Sequence, residues 1–386
     1  SITNGFLMTI TFTSVVAVGL QNYSNVSSTS MSQVARINVY IDARQIVGNP
    51  LSPEVYQILK IIRPGWRAES IEPKNFTDGI TNLLMGYYEN GKFDEDVILL
   101  RIYGEGTELM IDRDMEKKNI LVLSEAGCCP PLYAEFKNGI AYGFVHGQTL
   151  DPDTVRDHRI KRLIAEEMCR MHYVKPDGRE PKPELFSKLQ KFLNIYPDRL
   201  DTPEKQKRFV ELLPSKDKII EDFCELKSHL EALNCEIVFS HNDLLLKNII
   251  YSKEKDKITF IDHEYAMFNY QPLDIANHFC EYAGVDEVDF SRYPGKEYQL
   301  DWIQHYLVCW EEINGRTGSG VTDRDVEEMY IKVNKFALAA HFFWATWAII
   351  QAKYSKIDFD FLGYGIMKYN EFLSRKDEFL SLKLPD

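Results

Sequence analysis

The sequence predicts an α+β protein with two lobes, a smaller lobe rich in β-strands and a larger lobe made mainly of helices. In residues 36–145, short apolar runs alternate with turn residues, a pattern typical of a sheet. From residue 151 onward, apolar residues recur mostly with helical spacing. One strand-like segment, residues 237–261, interrupts the helical part. We therefore predict a flexible leader at 1–35, an N-lobe at 36–145 and a C-lobe at 146–386.

The elements of the N-lobe follow from local patterns. Ser52, Pro53 and Glu54 form a helix start, with an N-cap hydroxyl, a proline at the first position and an acid in the first turn. This start predicts a helix over 55–62, and apolar residues at helical spacing predict another over 112–125. Strands are expected at 36–40, 66–73, 82–88 and 96–103, and a hairpin is expected to join strands 130–136 and 139–145.

The C-lobe is expected to begin with a long helix over 151–174, which opens with Asp-Pro-Asp. A linker at 176–183 then leads to further helices at 184–193, 201–212 and 216–233. After the strand segment, the pattern is helical to the C-terminus. The apolar run 336–350 is interrupted by His341, so we interpret it as a buried core helix.

Composition narrows the classes of function. Of the 386 residues, 45% are hydrophobic and 27% charged, the balance of an ordinary globular protein. The formal charge at pH 7 is 45 − 58 = −13, and so acidic a surface repels nucleic-acid backbones. Seven cysteines at irregular spacing indicate neither a disulfide framework nor a zinc ribbon. We therefore expect no nucleic-acid partner, mostly buried free thiols and a cytoplasmic location.

The N-terminal residues do not predict a working targeting signal. Residues 6–20 form an apolar run that is shorter than the roughly twenty residues a transmembrane helix needs. The run resembles the core of a signal peptide, but no basic residue precedes it. Residues 21–32 are rich in Ser and Asn. We expect a poorly ordered leader and no transmembrane segment.

The most informative stretch is residues 238–262. An apolar strand leads into His241-Asn242-Asp243, Asn248 follows after four intervening residues, and a later apolar strand ends on Asp262. This is the layout of a phosphoryl-transfer site, in which the first Asp accepts a hydroxyl proton and the Asn and second Asp hold Mg²⁺ against the phosphates of a nucleotide. Hard oxygen ligands of this kind suit Mg²⁺. We predict catalytic roles for Asp243, Asn248 and Asp262, the last two as metal ligands.

The same residues also have an ordinary structural interpretation. Asp and Asn are common in turns, and His-Asn-Asp could be an N-cap cluster. The spacing of Asp243 and Asn248 alone also occurs by chance. Their position between apolar strands, with Asp262 at a strand end, favours the phosphoryl-transfer site. A serine hydrolase has no support, because the sequence has no Gly-x-Ser-x-Gly elbow.

Two motifs resemble the signatures of the choline/ethanolamine kinase family. The first is His241-Asn242-Asp243 with Asn248, and the second is Asp262-His263-Glu264-Tyr265 followed by LDIANHFCE at 273–281. Further stretches resemble ethanolamine kinases in particular, among them FTDGITN at 76–82 and VILLRIYG at 97–104. The resemblance implies a protein-kinase-like fold, Mg²⁺, and ATP as the co-substrate. It also implies phosphorylation of ethanolamine to phosphoethanolamine, the first step of the CDP-ethanolamine route to phosphatidylethanolamine.

The resemblance further implies that the N-lobe covers the nucleotide. A nucleotide-covering loop is matched by four residues, Thr77, Gly79, Thr81 and Asn82, although a single glycine is by itself a weak signal. Arg101, at the end of an apolar strand, resembles the family's basic residue for the α- and β-phosphates, with Glu116 as its expected ionic partner. Each of these two could instead be a solvent-exposed charge. Phe144 lies in the expected connector between the lobes, whose backbone would bind adenine.

In the C-lobe the resemblance implies an amine pocket. Trp344 and Trp347 lie three apart on one helix face, a pattern that alone more often marks core, but in this family matching residues surround the amine. The other matching substrate positions are Glu264, Tyr265, Glu281, Phe359 and Tyr364. An ammonium over an aromatic face gains about 0.5–2 kcal/mol. Residues 282–286 contain one aromatic residue and an acid, which favours a primary amine over choline.

Three alternatives stay open at this point. The chain could be a choline kinase or a kinase that accepts both amines. It could be a kinase-like module that binds a nucleotide or an amine without catalysis. An aminoglycoside-type phosphotransferase would share the spacing of Asp243 and Asn248 but gives no role to the two tryptophans. In each case we expect small-molecule partners and a monomer or homodimer.

Overall fold

The computed structural model describes residues 34–46, 48–76, 82–104, 111–176, 178–355 and 357–385. The expected leader at 1–35 therefore lies almost entirely outside the described residues. Strands dominate the N-terminal part of the described chain and helices the C-terminal part. This arrangement confirms the α+β prediction.

One mixed sheet organises the N-terminal part. Its strands are β1 (Ala35–Ile37), β2 (Ile71–Asn75), β3 (Asn82–Glu89), β4 (Ile98–Tyr103), β5 (Leu132–Phe136) and β6 (Gly139–Gly143). Within the described residues they lie in the order β1-β5-β6-β4-β3-β2. Only the β1–β5 pair in this order is parallel. β4 therefore lies in the interior of the sheet, between β6 and β3.

Three helices accompany this sheet, namely α1 (Ala43–Ile46), α2 (Pro53–Ile62) and α3 (Arg113–Glu125). The Ser52 hydroxyl accepts a hydrogen bond from the Val55 N–H, so the predicted cap of α2 is confirmed. Asp112 caps α3 in the same way through the Met115 N–H. α3 packs on β5 and buries the carboxylate of Glu116. The buried acid on this helix becomes part of the site described below.

The C-terminal part combines short strands with long helices. Its strands are β7 (Gln148–Thr149), β8 (Ile237–Ser240), β9 (Ile249–Ser252), β10 (Lys257–Phe260) and β11 (Met267–Tyr270). Its helices are α4 (His158–Tyr173), α5 (Leu185–Ile195), α6 (Pro203–Leu212), α7 (Lys216–Glu231), α8 (Gln271–Cys280), α9 (Lys296–Ile313), α10 (Asp323–Tyr354) and α11 (Phe361–Leu380). The strands pair as β10-β9-β7 and as β11-β8.

Two element predictions were wrong at their starts. The helix predicted from residue 151 begins at His158, because the Asp151 carboxylate accepts backbone N–H groups at its own turn and Asp157 caps the helix. The strand predicted from residue 66 begins at Ile71, since a 3₁₀ turn occupies Ala68–Ser70. β11 was missed, because its four residues are all buried and show no alternation of polarity.

α10 is the central helix of the main core. Every residue from 333 to 350 is buried, so this helix is enclosed on all sides. It packs mainly against α11 and α8. The prediction of a buried core helix is confirmed. In the part of the chain that the structure describes, no helix combines the length and apolar character needed to cross a membrane.

Candidate active site

Two strand pairs bring the predicted catalytic residues together. Ser240 pairs with Met267, so the loops that follow β8 and precede β11 leave the same end of that ladder. In the second hairpin Phe260 pairs with Ile249. The Ile261 N–H then donates to the Asn248 carbonyl at 2.9 Å. Asn248 and the residue after Ile261, Asp262, therefore lie at one end of the β9–β10 hairpin.

A buried carboxylate fixes the turn that carries Asp243. Asp274 of α8 is 1% exposed and accepts the backbone N–H groups of His241 and Asn242, each at 2.8 Å. His172 of α4 contacts the same carboxylate through Nε2 at 3.0 Å. His172 therefore has a structural role in holding the Asp274 carboxylate. Asp274, which belongs to the second motif, thus holds the turn formed by the first motif, His241-Asn242-Asp243.

Asn242 adopts a left-handed conformation, with φ of 63°. This conformation is costly for most residues. Glycine tolerates it best, and Asn and Asp tolerate it better than the other residue types do. The Asn242 side chain donates to the carbonyls of Ser240 and Tyr265, both at 3.1 Å, and accepts from Asn269 Nδ2 at 3.0 Å. These bonds lock the backbone just before Asp243 and tie its loop to the residues that follow Asp262.

His241 links the two catalytic loops. Its Nε2 lies 2.9 Å from the carbonyl of Ile261, the residue before Asp262. Its ring lies 4.9 Å from the ring of His263, centroid to centroid. Burial lowers the pKa of His241, so its ring stays neutral near pH 7. The sequence indicated that His241 braces the loop, and these contacts agree with that interpretation.

Asp243 and Asp262 have oppositely shifted pKa values. Burial and the charges of Asp262, Glu264 and Glu281 raise the pKa of Asp243 well above its ordinary value. Burial also acts to raise the pKa of Asp262, but the charge and hydrogen bond of Arg101 outweigh it and hold that pKa below its ordinary value. The bonds from His241 to the Ile261 carbonyl and from Asn242 to the Tyr265 carbonyl hold the loops of the two carboxylates side by side. Neighbouring carboxylates tuned apart in this way are typical of an acid–base site.

Arg101 connects the N-terminal sheet to the catalytic loops. Its Nη1 donates to Glu116 Oε1 at 2.9 Å and its Nη2 donates to Asp262 Oδ1 at 2.5 Å. The predicted pairing with Glu116 is present. Arg101 lies inside β4, two residues before its end, and is 7% exposed, so the alternative of a solvent-exposed charge does not hold.

Arg113 is a member of this network that the sequence analysis missed. Its Nη1 contacts Glu116 Oε2 at 2.8 Å and Glu264 Oε2 at 3.1 Å. Burial and the charge of Asp262 raise the pKa of Glu264 to about 7, although Arg101 and Arg113 oppose the shift. The only sequence signal for Arg113 was a basic residue in the first turn of a helix, an unfavourable position for a cation.

Part of the expected nucleotide site cannot be placed. Thr77, Gly79 and Thr81 lie outside the described residues, and Asn82 is the first residue of β3, where it pairs with Tyr103. Phe144 follows β6 and packs against Phe93 and His146, with ring centroids 5.3 and 4.8 Å away. Its ring belongs to an aromatic cluster, and adenine binding by the connector backbone stays a prediction.

The two tryptophans lie beside the catalytic loops. Trp347 Nε1 donates to the Tyr265 hydroxyl at 2.7 Å. The Trp344 ring lies edge to face with both, 5.2 Å from Tyr265 and 5.6 Å from Trp347 between centroids. Trp344 Nε1 donates to Asn277 Oδ1 at 2.8 Å. The predicted aromatic residues Tyr265, Trp344 and Trp347 are therefore in mutual contact.

The aromatic series continues toward the surface. Phe361 packs between Trp347 and Phe359, at 5.7 and 4.9 Å between centroids, and Tyr364 lies 6.1 Å from Phe359. Phe359 itself is 36% exposed. Phe359 and Tyr364 are therefore joined to the tryptophans through Phe361, which the sequence analysis did not single out.

Glu281 is held by a buried lysine that the sequence analysis also missed. Lys368 Nζ lies 3.3 Å from Glu281 Oε1, and both side chains are 1% exposed. Glu281 Oε2 is buried without a hydrogen-bond partner among the described residues. Lys368 Nζ also lies 5.4 Å from the centre of the Tyr364 ring. The signal was available, because Lys368 shares a helical spacing with the buried residues Phe361 and Phe372.

The donor set at the hairpin end fits Mg²⁺. Asn248 Nδ2 donates to the Asp243 carbonyl at 2.9 Å, which turns Asn248 Oδ1 to the opposite side. The lowered pKa of Asp262 keeps its carboxylate ionised. Among the described residues, no group of three or more His, Cys, Asp and Glu side chains is placed to hold a metal. Mg²⁺ often uses one or two carboxylates and takes the remaining oxygens from phosphates and water.

Comparisons with known proteins agree with this geometry. A family model described as "Choline/ethanolamine kinase" matches residues 74–373. A "Probable ethanolamine kinase" of Nematostella vectensis is 46% identical over 325 residues, which is 84% of this chain and 93% of that protein. "Ethanolamine kinase 1" of Homo sapiens is 42% identical over 374 residues, which is 97% of this chain and 82% of that protein.

Solved structures show the same fold. A Plasmodium vivax ethanolamine kinase superposes with a TM-score of 0.72 at 25% identity, and the match covers 87% of this chain and 90% of that chain. A Cryptosporidium parvum choline kinase superposes with a TM-score of 0.68 at 24% identity, covering 87% and 96%. The second similarity bears on the fold alone.

Proposed function

Because this chain belongs to the choline/ethanolamine kinase family, we propose that it transfers the γ-phosphoryl group of ATP to the hydroxyl group of ethanolamine. The family resemblance and the protein-kinase-like fold predicted from the sequence motifs are confirmed. Relatives with 46% and 42% identity over most of the chain are named ethanolamine kinases, which supports this substrate. The product, phosphoethanolamine, would enter phosphatidylethanolamine synthesis. The seven free thiols support a reducing, cytoplasmic location.

The arrangement that carries the proposal joins the loop of buried Asp243 to that of Asp262, whose carboxylate accepts from Arg101 at 2.5 Å, and the pKa values of the two acids are shifted in opposite directions. A carboxyl with a raised pKa is suited to accept a proton, whereas a carboxylate held ionised is suited to face a cation. A binding module without catalysis has no need for this difference. We therefore assign proton transfer to Asp243 and metal binding to Asp262 and Asn248.

In the proposed reaction the ethanolamine oxygen attacks the γ-phosphorus. The new O–P bond forms while the bond from the γ-phosphorus to the β–γ bridging oxygen breaks, and ADP leaves. The hydroxyl proton passes to the Asp243 carboxylate. When bound to Asn248 and Asp262, Mg²⁺ would supply positive charge that offsets the phosphate oxygens. Arg101 would steady the phosphates from the side of the sheet.

The charges around Asp243 also indicate a cationic substrate. The carboxylates of Asp262, Glu264 and Glu281 all act to keep Asp243 protonated. An ammonium group bound beside them would favour the ionised form of Asp243, because opposite charges stabilise one another. The amine of ethanolamine would therefore help to prepare the base that accepts its own hydroxyl proton.

Glu281 favours ethanolamine over choline. Its buried Oε2 atom has no hydrogen-bond partner among the described residues, and a buried acceptor left unpaired is costly. A primary ammonium has three N–H donors, whereas the trimethylammonium of choline has none. A hydrogen bond to Glu281 Oε2 would therefore stabilise bound ethanolamine but not bound choline.

A panel of amino alcohols tests the proposal. We expect kcat/KM with ATP and Mg²⁺ to fall from ethanolamine through its mono- and dimethyl forms to choline, as N–H donors are lost. Glu281→Gln should reduce the difference in kcat/KM between ethanolamine and choline, while Glu287→Gln, a change at an exposed acid of the following loop, should leave that difference unchanged. Equal or faster turnover of choline would contradict the substrate. If none of these alcohols is phosphorylated in the presence of ATP and Mg²⁺, the result would favour a binding module without catalysis.

A further inference from the structure

All seven cysteines lie in the described part of the chain, and none forms a disulfide. The prediction of free thiols is thus confirmed, but the expectation that most of them are buried was wrong, because three are buried, three are half-buried and Cys224 is exposed. Cys309 differs from the others, because it lies at a helix interface beside groups that can stabilise its thiolate. This cluster lies outside the site described above.

Four side chains of two packed helices form the cluster. Glu166 and Cys169 lie one turn apart on α4, and His305 and Cys309 lie one turn apart on α9. His305 Nε2 is 3.1 Å from Glu166 Oε1 and 3.9 Å from Cys309 Sγ. Cys169 Sγ lies 3.2 Å from the carbonyl oxygen of Tyr306, three residues before Cys309, so the two cysteines lie close together where α4 packs against α9. A carboxylate, an imidazole and two thiols therefore meet at one point.

The electrostatics of the cluster favour a thiolate at Cys309. Hydrogen bonds to Cys309 and Glu166 raise the pKa of His305 to about 9, so its ring is charged at pH 7. The hydrogen bonds from Cys169 and His305 lower the pKa of Cys309 to about 6, against the opposing effect of burial. Burial raises the pKa of Cys169, which stays a thiol. A thiolate beside a neutral thiol is the arrangement of an attacking and a resolving cysteine.

We propose that Cys309 is a peroxide-reactive cysteine and that Cys169 resolves it, so that an oxidised enzyme carries a Cys169–Cys309 disulfide between α4 and α9. In the first step the Cys309 thiolate attacks hydrogen peroxide, an S–O bond forms, the O–O bond breaks and hydroxide leaves. In the second step the Cys169 sulfur attacks the sulfenic acid of Cys309. An S–S bond forms, the S–O bond breaks, and the Cys169 proton leaves with the hydroxyl as water.

The cluster is connected to the catalytic turn by a chain of hydrogen bonds. Cys169 Sγ lies 3.2 Å from the carbonyl oxygen of Tyr306, and the Tyr306 hydroxyl lies 2.7 Å from His172 Nδ1. His172 in turn contacts Asp274, which holds the backbone of His241 just before Asp243. A disulfide would remove the Cys169 donor and shift Tyr306. We therefore propose that oxidation lowers kcat, a part of the inference that rests on the proposed kinase activity.

Thiol reactivity tests the first part without any reference to catalysis. At pH 6 about half of a thiol with a pKa of about 6 is ionised, against about one part in a thousand at the ordinary value of 9.0. A low-pKa thiolate is intrinsically less nucleophilic, with a Brønsted slope of about 0.4–0.5, which leaves an expected advantage of roughly tenfold. With the full chain at pH 6, iodoacetamide should therefore modify Cys309 faster than the exposed Cys224, as read by mass spectrometry. His305→Gln should abolish the advantage.

Peroxide treatment tests the disulfide and its effect. We expect a peptide pair joined through Cys169 and Cys309, a fall in kcat and recovery with a thiol reductant. Cys169→Ser should instead accumulate the sulfenic acid at Cys309, and the control Cys224→Ser should behave as wild type. Alkylation of Cys309 no faster than that of Cys224, or a peroxide product joining other cysteines, would overturn the site. A Cys169–Cys309 disulfide with unchanged kcat would overturn the connection to catalysis, whereas an enzyme without kinase activity would leave the thiol results standing.

Discussion

Replacing Asp274 by Asn should weaken both the fold and the catalytic turn. The Asp274 carboxylate accepts backbone N–H groups of His241 and Asn242 and the Nε2–H of His172, at distances of 2.8, 2.8 and 3.0 Å. The substitution keeps the shape of the side chain but turns one acceptor oxygen into an NH₂ group. One backbone N–H would then face another donor inside the protein.

The magnitude follows from these contacts. A hydrogen bond to a charged group is worth about 1.5–3 kcal/mol, and a buried donor left unpaired costs about 1–3 kcal/mol. One lost bond and one unpaired donor together predict a loss of about 3–5 kcal/mol in the free energy of unfolding. Domains are typically stable by about 5–15 kcal/mol, so the variant should still fold. Displacement of the turn by even about 1 Å would lower kcat by roughly 100-fold.

Urea unfolding followed by circular dichroism measures the stability term, and a steady-state assay with ATP and ethanolamine measures kcat. Asp153→Asn is the matched control, because its carboxylate is 83% exposed and pairs at the surface with Arg292, which is itself 38% exposed. Such pairs are worth about 0–1 kcal/mol. An Asp274→Asn variant that loses less than about 1 kcal/mol and keeps its kcat would refute the claim that Asp274 supports the turn.

Three further predictions concern the site itself. Arg101→Lys should lower kcat/KM for ATP by roughly 10- to 100-fold, because the single nitrogen of lysine cannot occupy the positions of both Nη1 and Nη2, and loss of either bond costs about 1.5–3 kcal/mol. An unchanged value would remove Arg101 from phosphate binding. Trp347→Phe removes the donor to Tyr265 at 2.7 Å, so KM for ethanolamine should rise roughly threefold to tenfold while KM for ATP stays constant, and equal rises in both would indicate general damage. Protonated Asp243 cannot accept a proton, so kcat/KM should fall as pH decreases through the raised pKa of Asp243, above the ordinary 3.8, and saturating Mg²⁺ should move this fall to lower pH; a rate that stays constant down to pH 4 in a folded enzyme would contradict the shift.

Local signals allowed much of the fold to be predicted. The helix at Pro53–Ile62 has a capping serine, a proline and a first-turn acid, and it ends where predicted and begins two residues before the predicted 55–62. Strands with clear apolar runs, such as Ile98–Tyr103, also appear where expected. Met267–Tyr270 was missed because its burial on both faces erases alternation, and its partner Ile237–Ser240 lies far away in sequence. Pairing of this kind is a tertiary property that a local window does not contain.

The site shows the same division. Asp243, Asn248 and Asp262 were found because their spacing is fixed by two short loops at strand ends. Charged partners that come from distant elements were not found. Arg113 of α3 and Lys368 of α11 reach the site through the packing of their helices. They form ion pairs with Glu264 and Glu281, two acids that the sequence analysis named without their partners. Burial also reversed the surface interpretation of Arg101, since only the assembled sheet shows that its strand is an interior one.

Transfer of ³²P from γ-labelled ATP to ethanolamine by the wild type and by Asp243→Asn tests the central claim most directly. Loss of the proton acceptor should reduce kcat by about 10²–10⁴-fold with an unchanged circular dichroism spectrum. Asp256→Asn, which alters an exposed acid paired with Arg159, should transfer phosphate at the wild-type rate. A folded Asp243→Asn enzyme with a kcat close to that of the wild type would show that Asp243 does not accept the proton of the ethanolamine hydroxyl group.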